Sequence, residues 1–342
     1  MTQTQTKEYT ALVTALSPIT HNEILAKDAK PGTDKKGKVK DYPEFRQFPF
    51  VVRENGEYAV KDVYCVSGNS LRGIGRQQLF RHTIEDVLDI DFDELLEGVL
   101  DKTRRRLLLA TLECGGVSPK GSSAKGSLAS GVYDKVLRQL PFLDLLGAVY
   151  VSHHFDGSCS IGNLVLRTKE TEAFFCEHNF IPGTLTSNTP LLSVNDIVTS
   201  ECRFTKTQNN KDASEHPTSG DVEAEKIKMI YGTTVLPAGT QFFWNSYCTS
   251  KNEGTLLAFD AMLALIAKRG GIGGMSNKGF GRASFNILNL DIYAAIKKYD
   301  DYILTHKDDI IEGIKLLAEE FNYTLADSSD KPKKASAKKD EK

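Results

Sequence analysis

Cysteine pairs at the spacing of a zinc site are missing from this sequence. Six cysteines are scattered along 342 residues, and no two form a C-x-x-C motif. Disulfide frameworks and structural zinc sites both need regular cysteine spacing. We therefore expect reduced thiols, no structural metal and no cofactor, in a cytoplasmic protein.

Long apolar runs are also missing. The longest, residues 256–267, has about twelve residues and includes Asp260, so it is too short to span a bilayer. Residues 1–9 are polar and lack the apolar run of a signal peptide. The sequence predicts no membrane partner.

An excess of one charge is absent as well. The sequence has 43 Lys and Arg residues and 45 Asp and Glu residues, which gives a formal net charge of -2. A protein with a basic surface overall is excluded, so any polyanion must bind to local clusters of Lys and Arg residues. The length predicts roughly two domains, or one domain with large insertions.

The pattern of apolar residues predicts an α+β fold. Residues 9–17 are rich in strand formers, and 50–66 read as a hairpin that turns at 54–57. A helix is expected over 71–82, with Asn69 or Ser70 as its cap.

Further along the chain, residues 83–112 have helical periodicity and read as an inserted helical piece. Residues 235–248, 255–269 and 282–290 read as strand, helix and strand, a crossover that packs its helix on one sheet face. Residues 201–225 are polar between strand-like edges, which indicates a projecting hairpin.

The first candidate site is the strand-to-helix turn at residues 67–76, SGNSLRGIGR. Unpaired amides at a helix start bind phosphate, and Asn69 and Ser70 lie at this start. Arg72 and Arg76 are four residues apart and share one helical face, so they could extend the positive end. The alternative is a capped helix with two solvated arginines.

The second candidate is the glycine loop, residues 270–281, with six glycines in twelve residues. Its backbone amides could approach a phosphate closely. Dinucleotide and P-loop motifs place a helix after the loop, whereas here the helix comes first, so neither fingerprint is met. A flexible connector and the nucleotide site of a small-molecule enzyme stay open as alternatives. The candidate contacts are Gly273, Gly274, Ser276, Asn277, Lys278 and Arg282.

Two weaker basic groups complete the candidates. Lys120, Ser122 and Lys125 belong to a loop of small residues that could equally be solvated. Arg203 and Lys206 lie at the base of the predicted hairpin. By contrast, the adjacent residues His153 and His154 would point to opposite faces of a strand, which favours a structural role.

Several segments, taken together, resemble the RAMP superfamily of CRISPR effector subunits. Residues 67–73 (SGNSLRG), 235–242 (VLPAGTQF) and the glycine loop occur in the order of that family, and 141–147 (PFLDLLG) is a weaker match. The chain is most similar to the backbone subunit that polymerises along guide RNA. Residues 16–50 look most like the type IV version.

This resemblance implies a modified ferredoxin-like, RRM-related core with inserted helical fingers and a protruding thumb hairpin. The implied units are a palm (1–82, 141–200 and 230–295), fingers (83–140), a thumb (201–229), C-terminal helices (296–325) and a disordered lysine-rich tail (326–342).

The function implied by the resemblance is non-catalytic binding of guide RNA (crRNA) in a helical filament of a type IV-like complex. The expected partners are crRNA, target nucleic acid, copies of the chain itself and other CRISPR effector subunits. Related type III subunits cleave target RNA with a loop aspartate, and Asp28, Asp34 and Asp41 occupy that loop here. None has the glycine-flanked setting of the cleaving members, so metal-dependent cleavage is the alternative function.

The interpretation depends on one geometric expectation. The helix start at Ser70 and the glycine loop at Gly274 should border one groove, where their amides grip a sugar-phosphate chain.

Overall fold

The computed structural model describes most of the chain. The described residues are 3–22, 44–54, 56–116, 130–150, 153–177, 191–193, 196, 200–207 and 228–329. Among the helices in these ranges, none is long and apolar enough to cross a bilayer.

Strands and helices both contribute extensively, which confirms the predicted α+β class. The strands are β1 (Gln5–Ala15), β2 (Gln47–Glu54), β3 (Glu57–Val66), β4 (Ala148–Tyr150), β5 (His153–Phe155), β6 (Cys159–Ile161), β7 (Leu164–Leu166), β8 (Ser200–Thr207), β9 (Lys228–Val235), β10 (Gln241–Ser250) and β11 (Ala283–Ile287). The helices are α1 (Gly68–Arg81), α2 (Phe92–Leu95), α3 (Lys102–Cys114), α4 (Ser130–Gln139), α5 (Pro141–Leu146), α6 (Lys169–Glu177), α7 (Glu253–Arg269), α8 (Ile292–Thr305) and α9 (Lys307–Ser329).

The main sheet has seven strands in the order β11-β1-β10-β7-β3-β2, and β6 also pairs with β10. Every pairing in it is antiparallel. Two further strand pairs, β4 with β5 and β8 with β9, form separate small sheets. β1 and β10 are the central strands, with ten paired positions from Gln5↔Ser250 to Thr14↔Gln241.

The core lies between the sheet and α7. Alternate residues of β10 point towards the helices, and Phe242 and Trp244 are almost fully buried there. α7 is apolar nearly all round because the sheet, α1 and α8 surround it. α1 approaches α7 at Gly75, where a Cβ would lie 2.8 Å from Cγ of Met262.

Some boundaries differ from the sequence-based expectations. α1 begins at Gly68 and its N-cap is Ser67, whose hydroxyl accepts from the N–H of Asn69, so the predicted cap at Asn69 or Ser70 is wrong. α9 continues to Ser329, so the predicted disordered tail is wrong for residues 326–329, and the rest of the tail lies outside the described residues.

The polar stretch predicted as a hairpin has two strands at its edges. β8 and β9 pair antiparallel from Ser200↔Val235 to Thr207↔Lys228. Residues 208–227, between these strands, lie outside the described residues.

Candidate nucleic-acid interface

The chain just after β1 brings the first two candidate segments together. We call residues 19–22 the junction segment. The carbonyl of Thr20 accepts from the N–H of Gly274 (2.8 Å), and Nε2 of His21 accepts from the N–H of Ser67 (3.0 Å). Consecutive Cα atoms are about 3.8 Å apart. The glycine loop and the start of α1 are therefore neighbours, held by adjacent residues.

The junction segment also holds the base of the β8–β9 pair. Thr20 and Thr233 share a hydrogen bond between their hydroxyls (2.7 Å), and Oδ1 of Asn22 accepts from the Thr233 hydroxyl (2.9 Å). Ile19 and Leu236 exchange two backbone hydrogen bonds of 2.9 Å. Because Thr233 is fully buried, this polar contact is shielded from water.

The amides at the start of α1 already have partners inside the protein. The bonds are Ser67 N–H to Nε2 of His21, Gly68 N–H to Oδ1 of Asn163 (2.8 Å), Asn69 N–H to Oγ of Ser67 (3.3 Å), and Ser70 N–H to the carbonyl of Ser67 (3.0 Å). The predicted phosphate grip by these amides is therefore wrong. Of this turn, the side chain of Asn69 is exposed and that of Ser70 is partly exposed.

The glycine loop is packed tightly against the junction segment. Gly273 has φ +74°, and a Cβ there would lie 2.3 Å from the carbonyl oxygen of Thr20. Gly281 has φ +78°, and its N–H donates to the carbonyl of Pro18 (2.9 Å). These contacts do not fit a flexible connector, because only glycine tolerates this backbone geometry and crowding.

The outer side of the loop presents side chains. Ser276, Asn277 and Lys278 form a single 3₁₀ turn and are exposed, and so is Arg282 at the start of β11. The amides of Gly274 and Gly281 are bonded internally. Exposed polar and cationic side chains are therefore among the groups that this loop could offer to an external ligand.

The arginines of α1 are anchored inside the protein. Nη2 of Arg72 donates to the carbonyl of Leu146 (2.5 Å), and Arg76 donates to the carbonyls of Leu146 (2.9 Å) and Gly147 (2.5 Å). These carbonyls lie at the negative C-terminal end of α5, where cations are stabilising. The alternative of two solvated arginines is therefore wrong.

Arg76 is the more enclosed of the two, with only 8% of its surface exposed. Burial, followed by the nearby charge of Arg72, lowers the pKa of Arg76 to about 10. The guanidinium therefore remains charged at neutral pH.

The remaining candidates are placed as follows. Arg203 and Lys206 are in β8, opposite Gly232 and Met229 of β9. Lys120, Ser122 and Lys125 lie outside the described residues. Within the described ranges, no group of three His, Cys, Asp or Glu residues could hold a metal ion.

His21 is the functional-site residue that the sequence pattern did not indicate. Its Nε2 accepts a hydrogen bond, so the ring is neutral and carries its proton on Nδ1. Burial, and secondarily the charge of Arg46, lower the pKa of His21. Its partner Ser67 is 46 residues away in the sequence, and no local signal identifies such a contact.

The sequence matches no protein-family profile and no curated protein. Among solved structures, the fold is similar to a chain of a structure described as "Type IV-B CRISPR Complex", with a TM-score of 0.50 and 15% sequence identity. The alignment covers 83% of this chain and 91% of that chain. At this identity the likeness shows a shared fold.

The packing of the glycine loop can be tested with a matched pair of alanine substitutions. Gly273→Ala should lower the free energy of unfolding by about 3 kcal/mol, because it combines a positive φ with a backbone clash. Gly279 also has a positive φ (+84°), but no described atom lies within 4 Å of its Cβ position. Gly279→Ala should therefore cost only about 1 kcal/mol. Equal losses in urea unfolding would contradict the packing of the loop on Thr20.

The His21 contact predicts a pH-dependent stability. Because the folded state lowers the pKa of His21, the unfolded chain binds more protons as the pH falls below the unfolded pKa of about 6.5. Stability should thus be complete above that pH and decrease on acidification towards the lowered pKa.

His21→Gln is the control, because its amide oxygen can accept from Ser67 but does not titrate. Urea unfolding of both proteins at several pH values should give a steeper acid loss for the natural chain. Each unit by which the pKa of His21 is lowered corresponds to about 1.4 kcal/mol of stability. Parallel slopes would show that His21 does not carry this dependence.

Proposed function

We propose that this chain is a non-catalytic guide-RNA-binding backbone subunit of a type IV-like CRISPR effector complex. The observation that carries the proposal is the fold likeness to a chain of a type IV-B CRISPR complex, which extends over 83% of one chain and 91% of the other. Likeness over almost the whole of both chains favours an equivalent architectural role. On this proposal, other effector subunits, crRNA and target nucleic acid are the partners.

The order of the elements supports the assignment to the RAMP superfamily. With the intervening elements left out, among them β2 and β3, the succession is β1, α1, β6 with β7, β10, α7 and β11, or β-α-β-β-α-β. The strands of this set lie in the order β11-β1-β10-β7. A ferredoxin-like core is expected to have this antiparallel order, which supports the proposal. We assign these elements to the palm, α2, α3 and α4 to the fingers, and the β8–β9 pair to the thumb.

The exposed side chains around the junction segment are the proposed RNA contacts. Asn69 and Ser70 border the start of α1, and Ser276, Asn277, Lys278 and Arg282 border the glycine loop. Short polar side chains and a few cations bind phosphates without reading bases. The guide bases would then remain free to pair with a target.

The absence of catalysis is also part of the proposal. The alternative, metal-dependent cleavage of target RNA, would use Asp28, Asp34 or Asp41, which lie outside the described residues. No described feature favours that alternative over binding.

Purification tests the proposal directly. The natural chain should co-purify with RNA of defined length, measured by its absorbance ratio at 260 and 280 nm and by extraction. The double variant Lys278→Glu with Arg282→Glu should retain less RNA. Because two phosphate contacts are removed, the magnitude of the negative slope of log affinity against log salt concentration should also decrease by about 1.4.

A charge-matched control separates this contact from general charge. Lys297 and Lys298 are exposed on α8, and changing both to Glu gives the same change in net charge. This control should retain RNA like the natural chain. RNA-free natural protein, or equal losses in the two double variants, would contradict the proposed contact.

The thumb assignment predicts how the chain assembles. Replacing residues 208–227 with Asn-Gly joins Thr207 to Lys228, which are already paired, through a two-residue hairpin turn. The variant should melt at the temperature of the natural chain, yet form shorter assemblies on RNA in electron micrographs. Full-length filaments from this variant would contradict a thumb that bridges subunits.

A further inference from the structure

Two buried cysteines lie directly opposite each other in the main sheet. Cys159 is the first residue of β6 and is paired with Cys248 of β10. Cys248 is fully buried, and only 8% of the surface of Cys159 is exposed. Both are free thiols in the structure. Because paired residues of neighbouring strands project from the same face of a sheet, the two side chains are neighbours in the core.

The hydrogen bond next to this pair shows which kind of position it occupies. The N–H of Thr249 donates to the carbonyl of Ser158 (3.1 Å), one position beyond the two cysteines. Hydrogen-bonded and non-hydrogen-bonded pairs alternate along an antiparallel ladder, so Cys159 and Cys248 form a non-hydrogen-bonded pair. The Cα atoms of such a pair are about 4.5 Å apart, within the roughly 4.4–6.8 Å that a disulfide requires. The register therefore permits a disulfide without a large backbone movement.

The two thiols also influence each other electrostatically. Burial, followed by the charge that a Cys159 thiolate would carry, raises the pKa of Cys248 to about 12. Burial raises the pKa of Cys159 to about 11, while the charges of Arg72 and Arg76 act in the opposite direction. Cys159 is therefore the more acidic and the more accessible of the two thiols. Because both are protonated at neutral pH and the thiolate is the reactive form, the pair reacts slowly.

We propose that Cys159 and Cys248 form a cross-strand disulfide when the chain is exposed to a small-molecule disulfide such as oxidised glutathione. The inference follows from the strand register and is independent of the proposed function. β6 has three residues and, among the described strands, pairs with β10 alone. A short strand with one neighbour opens more readily than a central strand, which gives the oxidant access to Cys159. Oxidation would then join β6 covalently to the centre of the sheet.

The oxidation consists of two exchange steps. The thiolate of Cys159 attacks one sulfur of oxidised glutathione, which forms a mixed disulfide and releases a glutathione thiolate that takes up a proton. The thiolate of Cys248 then attacks Sγ of Cys159, and the second glutathione leaves in the same way. In total, the two protein thiols lose two protons and two electrons, and the glutathione disulfide is reduced to two thiols.

The cross-link would also fix the residues that precede β6. The N–H and the hydroxyl of Ser158 both donate to the carbonyl of Asp144 in α5 (2.9 Å each). A Cβ at Gly157 would lie 2.7 Å from Nη2 of Arg72, so this segment is also packed against α1. A disulfide at Cys159 therefore ties β10 to the segment that contacts both helices. Because a disulfide restricts the unfolded chain, the oxidised protein should unfold at a higher urea concentration than the reduced protein.

Oxidation of the folded natural chain tests the inference. The protein is incubated with oxidised glutathione, its remaining thiols are alkylated, and its peptides are analysed by mass spectrometry without reduction. We expect one peptide pair linked through Cys159 and Cys248, whereas the exposed residues Cys114 and Cys176 should carry glutathione. The urea midpoint should rise on oxidation and return to its original value with dithiothreitol. Absence of the linked pair, or a midpoint that does not rise, would overturn the inference.

Two serine variants separate cross-linking from the reaction of single thiols. In Cys248→Ser the mixed disulfide has no second thiol to resolve it, so glutathione should remain on Cys159. In Cys159→Ser the fully buried Cys248 should stay unmodified. Cys65→Ser is the matched control, because it changes another buried thiol of the sheet and should leave the cross-link intact. Equal glutathione uptake by Cys159 and Cys248 in the two single variants would contradict the order of the steps.

The folded and the urea-unfolded natural chain give a comparison that needs no variant. At a fixed concentration of reduced glutathione, half-oxidation of the pair should need at least about tenfold less oxidised glutathione in the folded chain, because the sheet holds the two thiols together. Mass spectrometry of the alkylated peptides measures the oxidised fraction in both states. Equal requirements would show that the native register does not favour the disulfide, and the inference would be overturned.

Discussion

The three consecutive polar residues after β1 are the contacts on which the arrangement of the interface depends. The carbonyl of Thr20 accepts a hydrogen bond from the glycine loop, and the ring of His21 accepts one from the N-cap residue of α1. The side-chain oxygen of Asn22 accepts a third from Thr233 in β9. Each hydrogen bond contributes only about 1 kcal/mol, but an unpaired buried partner costs more. Three elements distant in sequence are thus fixed relative to one another by one short segment.

These three hydrogen bonds determine which groups remain available to bind a polyanion. An isolated helix start or glycine loop would offer its N–H groups to phosphate. Here the N–H groups of Ser67 and Gly274 instead donate to His21 and Thr20 of the junction segment. On the proposed function, contact with RNA is therefore left to side chains such as those of Asn69 and Lys278. Side chains on a fixed platform suit repetitive contact with a polymer backbone, because no base needs to be read.

The sequence predicted the elements whose signals are local. The hairpin of β2 and β3, with Gly56 in its turn at φ +88°, and the succession β10, α7 and β11 follow from periodicity and turn residues. The partners of Arg72 and His21 could not be predicted in this way. Leu146 is 74 residues from Arg72, and Ser67 is 46 residues from His21, so only the fold creates these contacts. The adjacency of α1 and the glycine loop was expected from the family resemblance, whereas its cause, the junction segment, was not.

Backbone crowding explains why glycine is required at particular positions of these segments. At Gly68, Gly273 and Gly281 a Cβ would overlap a backbone carbonyl oxygen of the protein itself, so the fold alone demands glycine. At Gly73, by contrast, no described atom lies within 4 Å of the Cβ position, and alanine would stabilise the helix.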